Sequence, residues 1–508
     1  MMFMVMQINH TIFSAFKALA YRFLFHSSTE NSVINSVYSQ SRFNTYFMIK
    51  HTKKMFLIML LFSAFNLQAQ TQLDRYIQEA FANNLVIQEQ KLALDKGLIA
   101  IKEARSYFMP TTWFETQYTL AQGGRTINIP IGDLLNPVYN TLNQLTSSNK
   151  FPSVTNVNEQ FLPNNFYDVR IKSTMPIINP DISINRNIKQ QEVQLKENDI
   201  LIYKRELAKE IKIAYFNYLM SGKAVTILEE SLVLVQQNLK LNQSLLNNGK
   251  GLPAYVTRAE SEVLSVQNQL LNAKNNVQNT TAYFNFLLNR PLTDTLITEE
   301  FSIADAQVQS LMSTEYNIQK REELKSFGIA TAITGNVLKM NQSFNKPRLN
   351  AFVDFASQGF DFKVNRQSLF YLGGLQLQIP IYTGKRNLYK IDQTQLEIQR
   401  LEKQTEQTKQ QLQLTAFNTR NNTRNAYNTW LASLKQLQAA EKYFTLTERG
   451  YKEGVTPFIE FLDARNQLTS TQLQTNINKY QFFAGMAEYE RQIASYQIQQ
   501  PVAWNTTR

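Results

Sequence analysis

The chain has 508 residues, a formal net charge of +12 and no cysteine, and its three histidines, His10, His26 and His51, all lie near its start. The absence of cysteine excludes disulfides, zinc-thiolate sites, haem attachment and lipidation at a cysteine. Beyond residue 69 the chain also lacks histidine, the commonest general base and transition-metal ligand. An enzyme is therefore the weakest interpretation, and we expect neither a cofactor nor a metal site.

Residues 48–69 have the pattern of a secretory signal peptide. A basic segment, residues 48–54, precedes an apolar run from Met55 to Leu67, and the small residue Ala69 follows. This order is typical of a cleaved signal, and the apolar run is too short for a membrane-spanning helix. We interpret residues 1–47 as an over-extended start; the alternative is a cytoplasmic or membrane-associated leader.

The charge left after the signal does not indicate a nucleic-acid partner. Residues 1–69 carry +5 of the formal charge, which leaves +7 for the rest of the chain. The remaining basic residues are scattered among glutamates and glutamines, as is typical of solvated helix faces rather than of a basic stripe. We therefore expect no nucleic acid among the partners.

A helix and a β-hairpin are predicted at the start of the mature chain. Apolar residues recur at steps of three and four in the first segment, which predicts one helix. In the next two segments apolar and polar residues alternate, which predicts two half-buried strands joined by a long loop, a hairpin over residues 112–176. The predicted ranges are Leu73 to Tyr107 for the helix, Phe114 to Leu120 and Tyr167 to Ser173 for the strands, with the second closing at Pro176, and Gln122 to Phe166 for the loop.

The longest predicted element is a helical hairpin over residues 180–289. Its first helix, Pro180 to Asn247, carries a heptad seam, which predicts supercoiled helices packed knobs-into-holes. At about 1.5 Å per residue this helix extends on the order of 100 Å, far beyond a globular domain. Gly249 turns the chain, and a second helix, Ala254 to Asn289, returns. The seam consists of Leu207, Ile211, Ala214, Tyr218, Ser221, Val225, Leu228, Leu232, Val235, Leu239, Asn242 and Leu246.

The same order of elements recurs in the second half, so we interpret the chain as a tandem duplication. The second helical tip contains Gly450, Gly454 and Pro457, and we expect glycine there to end one helix and proline to begin the next. The predicted parts are a first repeat at 70–290, a connector at 291–316, a second repeat at 317–495 with a helix, a β-hairpin at 348–381 and a helical hairpin at 387–495, and a tail at 496–508.

Each repeat therefore contributes two strands that are apolar on one face and polar on the other, a pattern typical of membrane barrels. Four strands cannot close a barrel, because the smallest have about eight. An open edge in lipid would leave backbone groups without partners, so several copies must share one barrel, and three copies give about twelve strands. The alternative is an antiparallel sheet in a soluble coiled-coil protein.

Several local features accompany this repeated order. Proline ends the helix before each first strand, Met175-Pro176-Ile177 and Ile379-Pro380-Ile381 end the second strands, and Arg321-Glu322-Glu323-Leu324 opens the second repeat. Together with the paired tips, they make residues 71–495 resemble the TolC-like outer-membrane efflux proteins.

The resemblance implies a mainly α fold, with long antiparallel coiled-coil helices and four β-strands per chain contributing to a trimeric twelve-stranded barrel. It implies a homotrimer in outer-membrane lipid whose helical tunnel lies in the periplasm, docked onto a periplasmic adaptor protein and an inner-membrane pump or ABC secretion ATPase. The function implied is a passive conduit of a tripartite efflux or type I secretion system. The alternative is a secreted or periplasmic coiled-coil scaffold or adhesin without a membrane barrel.

The resemblance also implies a periplasmic gate. Tyr451, Glu460 and Asp463 fall at the tyrosine and the two acidic positions of that gate. Three copies of the two acids would surround a narrow opening with carboxylates that favour cations. The alternative is that both are ordinary first-turn acids favoured by the helix dipole. Thr456 stands where an arginine can lock the tips, and Tyr255 where an aspartate partner can stand, so the closed state is expected to be held differently.

The tip turns are the implied docking site for the adaptor. They comprise Gly249, Gly251, Gly454 and Val455. A glycine in a hairpin turn also has a purely conformational explanation, since it adopts positive φ without strain.

Overall fold

The computed structural model describes residues 72–299, 308 and 317–498, which form a mainly helical chain with one four-stranded and one two-stranded sheet. The predicted signal peptide at 48–69 and the segment before it lie outside the described residues, as do most of the connector and of the tail. In the part of the chain that is described, no helix combines the length and the apolarity needed to cross a membrane.

The elements follow the order predicted for both repeats. The first repeat contains α1 (Gln72–Asn83), α2 (Leu85–Ser106), β1 (Thr111–Thr119), β2 (Thr126–Ile129), α3 (Ile131–Leu145), β3 (Val157–Gln160), β4 (Phe166–Ile178), α4 (Pro180–Asn247) and α5 (Pro253–Leu288). The second contains a short 3₁₀ helix (Ile318–Lys320), α6 (Glu322–Gln342), β5 (Arg348–Phe360), β6 (Leu369–Gln378), α7 (Arg386–Lys452) and α8 (Phe458–Gln492).

The predicted single helix from Leu73 to Tyr107 is two helices, separated at Asn84. The Asn84 side chain accepts hydrogen bonds from the amides of Val86 (3.0 Å) and Ile87 (3.3 Å), and it therefore caps the N-terminus of α2. Its own amide group donates to the carbonyl of Leu287 (3.4 Å), in a buried position. The apolar spacing continues across the break, so periodicity alone does not reveal it.

We expect Asn84→Ala to lower the free energy of unfolding by about 1–2 kcal/mol, because the first amides of α2 lose their cap. Asn83→Ala is the matched control, since the Asn83 side chain is exposed and lies one residue away. Thermal unfolding of the two variants should separate them, and equal midpoints would contradict the assigned cap.

The four-stranded sheet has the order β1-β4-β5-β6, with every neighbouring pair antiparallel. Strands β4 and β5 belong to different repeats and pair from Phe166↔Phe360 to Ile178↔Leu349, so this pair joins the two halves of the chain. The prediction that the strand closes at Pro176 is wrong by two residues. The register shifts between Pro176 and Ile178, because proline has no amide to donate and a bulge accommodates it.

The predicted loop from Gln122 to Phe166 is also wrong in part, because it contains regular structure. Residues 120–165, called the insertion below, include α3 and the antiparallel pair β2–β3. The many asparagines that indicated a loop instead hold the returning chain against α3, as described below.

The main core lies where α1, α4, α5 and α8 meet. Tyr76, Ile211, Tyr215, Phe284 and Phe482 are among its fully buried side chains. The heptad seam is confirmed, since each of its twelve residues is buried or half-buried. The seam thus packs α4 against its neighbours along most of its length.

The motif that opens the second repeat ties this core to the end of α8. The buried guanidinium of Arg321 donates to the carbonyl of Gln492 (3.0 Å) and to the carboxylate of Glu323 (2.8 Å). The neighbouring Glu322 accepts from Arg205 of α4 (2.9 Å). These charge-assisted bonds fix where the second repeat starts relative to the first.

Candidate channel wall and gate

One face of the four-stranded sheet carries an apolar row that crosses all four strands. At the middle of the sheet Phe114, Ile171, Phe355 and Tyr371 are successive cross-strand neighbours, and they are between 49% and 80% exposed. A contiguous exposed apolar row of this kind marks a surface that another apolar phase or partner covers.

The opposite face carries the charged residues of the sheet. Glu115 pairs across the strands with Arg170, and Lys172 pairs with Asp354. Arg170 also forms an ion pair with Asp168, two residues along the same strand and therefore on the same face. Apolar residues on one face and charges on the other suit a wall between lipid and water.

The two helical tips lie at the ends of the helical hairpins remote from the sheet. Gly249 (φ +73°) and Gly454 (φ +78°) have left-handed backbones, as predicted for the turns. Gly251 is required by crowding, because a Cβ there would lie 2.8 Å from the Leu246 amide nitrogen. Val455 is 80% exposed at the second tip.

Gly450 does not end a helix, contrary to expectation. It lies inside α7, which continues to Lys452. A Cβ on Gly450 would lie 2.3 Å from the hydroxyl of Thr456, so the absence of a side chain allows the turn to fold back onto the helix. Pro457 is the N-cap of α8 rather than its first helical residue.

Tyr451 is half-buried and links the two helical hairpins. Its hydroxyl donates to Asn242 Oδ1 of α4 (3.1 Å), and its ring stacks on Phe461 with centroids 4.9 Å apart. Burial raises the pKa of the Tyr451 phenol; the hydrogen bond with Asn242 opposes this rise and the neighbouring Tyr255 adds to it.

Glu460 and Asp463 lie apart from Tyr451 on the exposed side of α8. Their spacing of three residues places both carboxylates on one helix face, where both are exposed. Neither forms an ion pair with another described residue of the chain. The structure therefore places the two acids side by side on an exposed helix face and the tyrosine in the packed contact between the hairpins.

An aromatic cluster lies beside the two turns, where Tyr255 stands in place of the aspartate that the family resemblance would lead one to expect. Tyr255 contacts Phe458 with ring centroids 5.1 Å apart, and Phe458 in turn lies 5.9 Å from Tyr451. Phe444 and Phe461 extend the cluster, again 5.9 Å apart. Apolar packing thus joins the two hairpins next to the turns.

A buried ion pair between the hairpins, near the tips, was not predicted. Arg465 of α8 donates to Glu262 of α5 (2.7 Å), with side chains 3% and 12% exposed, and Arg258 reaches the other oxygen of the same carboxylate (2.7 Å). Burial lowers the pKa of Arg465, which Glu262 opposes, and its Nε has no partner in the described structure. The sequence signal that could have revealed this ion pair is a charged residue, Arg465, on the apolar face of α8 between Leu462 and Leu468.

Residues 339–483 match the family model of the outer membrane efflux proteins. The chain has the TolC-like fold. It is similar to the Campylobacter jejuni CmeC outer membrane channel (TM-score 0.62, 13% identity, 83% of this chain and 85% of that chain). Similar too are the outer membrane protein VceC from Vibrio cholerae (0.62, 12%, 83% and 96%) and the open state of the Neisseria gonorrhoeae MtrE outer membrane channel (0.62, 14%, 83% and 88%). No protein of curated function matches significantly.

The TolC-like fold confirms the fold class predicted from the sequence. Two of these similar structures are outer membrane channels and one is an outer membrane protein, and the likeness covers more than four fifths of this chain, so both repeats take part. Within this fold the sheet and the tips occupy opposite ends of the helical hairpins.

Proposed function

We propose that the chain is the outer-membrane channel of a tripartite efflux or type I secretion system, a passive conduit formed by three copies. The observation that carries the proposal is the sheet, whose apolar row from Phe114 to Tyr371 is exposed and whose outer strands β1 and β6 each pair on only one side. Copies placed edge to edge would close a barrel of about twelve strands and satisfy the backbone groups of both edges. The family match over residues 339–483 supports the same function.

The length of the helices supports a tunnel that continues the barrel. At about 1.5 Å per residue, α4 and α7, with 68 and 67 residues, each extend on the order of 100 Å. In this arrangement the sheet lies in the outer membrane and the tips reach across the periplasm. There the turns at Gly249, Gly251, Gly454 and Val455 would dock a periplasmic adaptor protein, with an inner-membrane pump or ABC secretion ATPase beyond it.

Fractionation tests the function against a secreted or periplasmic coiled-coil scaffold. We expect the protein in detergent extracts of outer membranes as a trimer that dissociates on heating, and we expect it to conduct ions in planar bilayers. A water-soluble product with no conductance would reject the channel and favour the scaffold. The exposed apolar row disfavours the scaffold, since it would face water there.

The gate proposal rests on the two exposed acids of α8. We expect Glu460→Ala combined with Asp463→Ala to raise single-channel conductance or to lower cation preference, because three copies would lose all the carboxylates of the proposed ring. Glu441→Ala is the matched control, an exposed acid of α7 farther from the turn. Unchanged conductance and selectivity in the double variant would retire the gate assignment. The helix-dipole explanation would then apply to Glu460 alone, because Asp463 lies beyond the first turn of α8.

A further inference from the structure

The insertion contains a helix, α3, that packs against its own chain through its polar face and leaves its apolar face exposed. The polar face of α3 packs against the returning segment: Asn136 exchanges two hydrogen bonds with the backbone of Val154 (2.9 and 2.8 Å), and Asn143 exchanges two with that of Phe151 (2.8 and 3.1 Å). Asn156 in turn accepts from the Asp133 amide (3.1 Å). These asparagine bonds, together with one aromatic contact between Tyr139 and Phe151 (centroids 5.7 Å apart), hold the segment on α3.

The opposite face of α3 is an exposed apolar stripe, formed by Leu134, Val138 and Leu145. These residues recur at four and seven positions, which places them on one side of the helix, and they are 68%, 52% and 77% exposed. A helix normally turns its apolar stripe towards a core. Since the chain holds α3 by its polar face, the stripe is left for a surface outside this chain.

The position of the insertion indicates which surface that is. It joins the ends of β1 and β4 that are remote from the long helices, and β1 is an edge strand of the sheet. The turn between β5 and β6 lies at the same end and leads into the other edge strand. Its Phe362 stacks on Tyr118 and Tyr167 of the same chain (centroids 4.8 and 5.6 Å apart), whereas Val364 is left 67% exposed. In a shared barrel β1 of one copy pairs with β6 of the next, which brings the insertion beside the neighbour's turn.

The charge of the insertion fits a second copy better than a lipid headgroup layer. Its four charged residues, Arg125, Asp133, Lys150 and Glu159, cancel to a net charge of zero. Three insertions of zero net charge can meet without repulsion. A surface that binds anionic headgroups would instead carry a cluster of Lys and Arg.

We propose that the apolar stripe of α3 is a contact surface between copies of this chain at the outer mouth of the barrel, where it packs on the neighbouring copy's turn at residues 361–368. This inference rests on the trimer of the proposed function. In this role the insertion would hold neighbouring subunits together and would take no part in conduction.

The absence of cysteine allows a direct test by cross-linking. In the purified protein, Leu134→Cys combined with Val364→Cys should form covalent dimers and trimers with a short bismaleimide. The matched control is Asn140→Cys with Val364→Cys, because Asn140 is exposed on the opposite side of α3 and should remain uncross-linked. Equally efficient cross-linking of Leu134→Cys alone would mean that the stripes of different copies meet one another, and it would overturn the packing on the turn.

A second measurement keeps the two proposals distinguishable. Leu134→Asp should lower the temperature at which the trimer dissociates, and Asn140→Asp should not. If the protein is trimeric but the stripe neither cross-links nor affects dissociation, the proposed contact between copies is wrong and the proposed channel function is unaffected. If the unmodified protein is monomeric in membrane extracts, the proposed function itself fails.

Discussion

Glu262→Leu is expected to destabilise the protein by about 3–5 kcal/mol, because it leaves the buried guanidinium of Arg465 without a counter-charge. Among the described residues, Ser231, 3.5 Å from Arg465 Nη1, would remain as a neutral partner. Arg465→Leu should cost less, since Glu262 keeps Arg258. Combining the two leucines should recover most of the loss, because a buried ion pair and an apolar pair of similar volume are often close in energy.

Thermal or denaturant unfolding of the four proteins gives the coupling energy of the pair directly. Glu260→Leu is the matched control, since Glu260 is an exposed acid on the same helix and should have little effect. If the double variant were as unstable as Glu262→Leu, the loss would come from the cavity or from strain and not from an unpaired charge. Because the pair joins the two hairpins, we also expect Glu262→Leu to raise conductance.

Phe355→Arg is expected to reduce strongly the amount of trimer in the outer membrane. Phe355 lies near the middle of β5 on the apolar face, and an arginine facing lipid at mid-membrane costs about 2–4 kcal/mol. Each trimer would carry this cost three times. Gln358→Arg is the matched control on the same strand, because an odd separation places Gln358 on the polar face.

The amount of heat-dissociable trimer in membrane extracts measures the difference between these two variants. Equal amounts would mean that the face bearing Phe355 does not meet lipid, and the proposed orientation of the sheet would then be wrong. A loss confined to Gln358→Arg would place lipid on the charged face instead.

The long elements could be predicted from the sequence because each has its own periodic signal. Helix α4 was bounded at Pro180 and Asn247, as the structure has it, since proline begins the helix and a glycine turn follows it. The sheet strands were found by alternation, which persists when one face meets lipid and the other water. The break at Asn84 was missed, because a single capping side chain leaves the apolar spacing unchanged.

The remaining differences arise where a contact joins residues distant in sequence. The insertion was predicted as a loop because its composition, rich in asparagine, is typical of turns. In the structure these asparagines instead form hydrogen bonds between α3 and the returning segment. The pair of Arg465 with Glu262 depends on how the two hairpins pack, which no local pattern specifies. The gate stays a proposal: Glu460 and Asp463 are exposed on α8, whereas Tyr451 packs between the hairpins, a position that the sequence did not reveal.

The pairing of β4 with β5 bears on how this protein is made. Phe166 meets Phe360, so the central ladder of the sheet cannot begin to form until most of the polypeptide has been synthesised and exported. Until then the apolar strands of the first half wait in the periplasm as an aggregation-prone intermediate. The assembly of this protein should therefore depend on periplasmic holdase chaperones more heavily than the assembly of barrels in which each strand pairs with the next strand in the sequence.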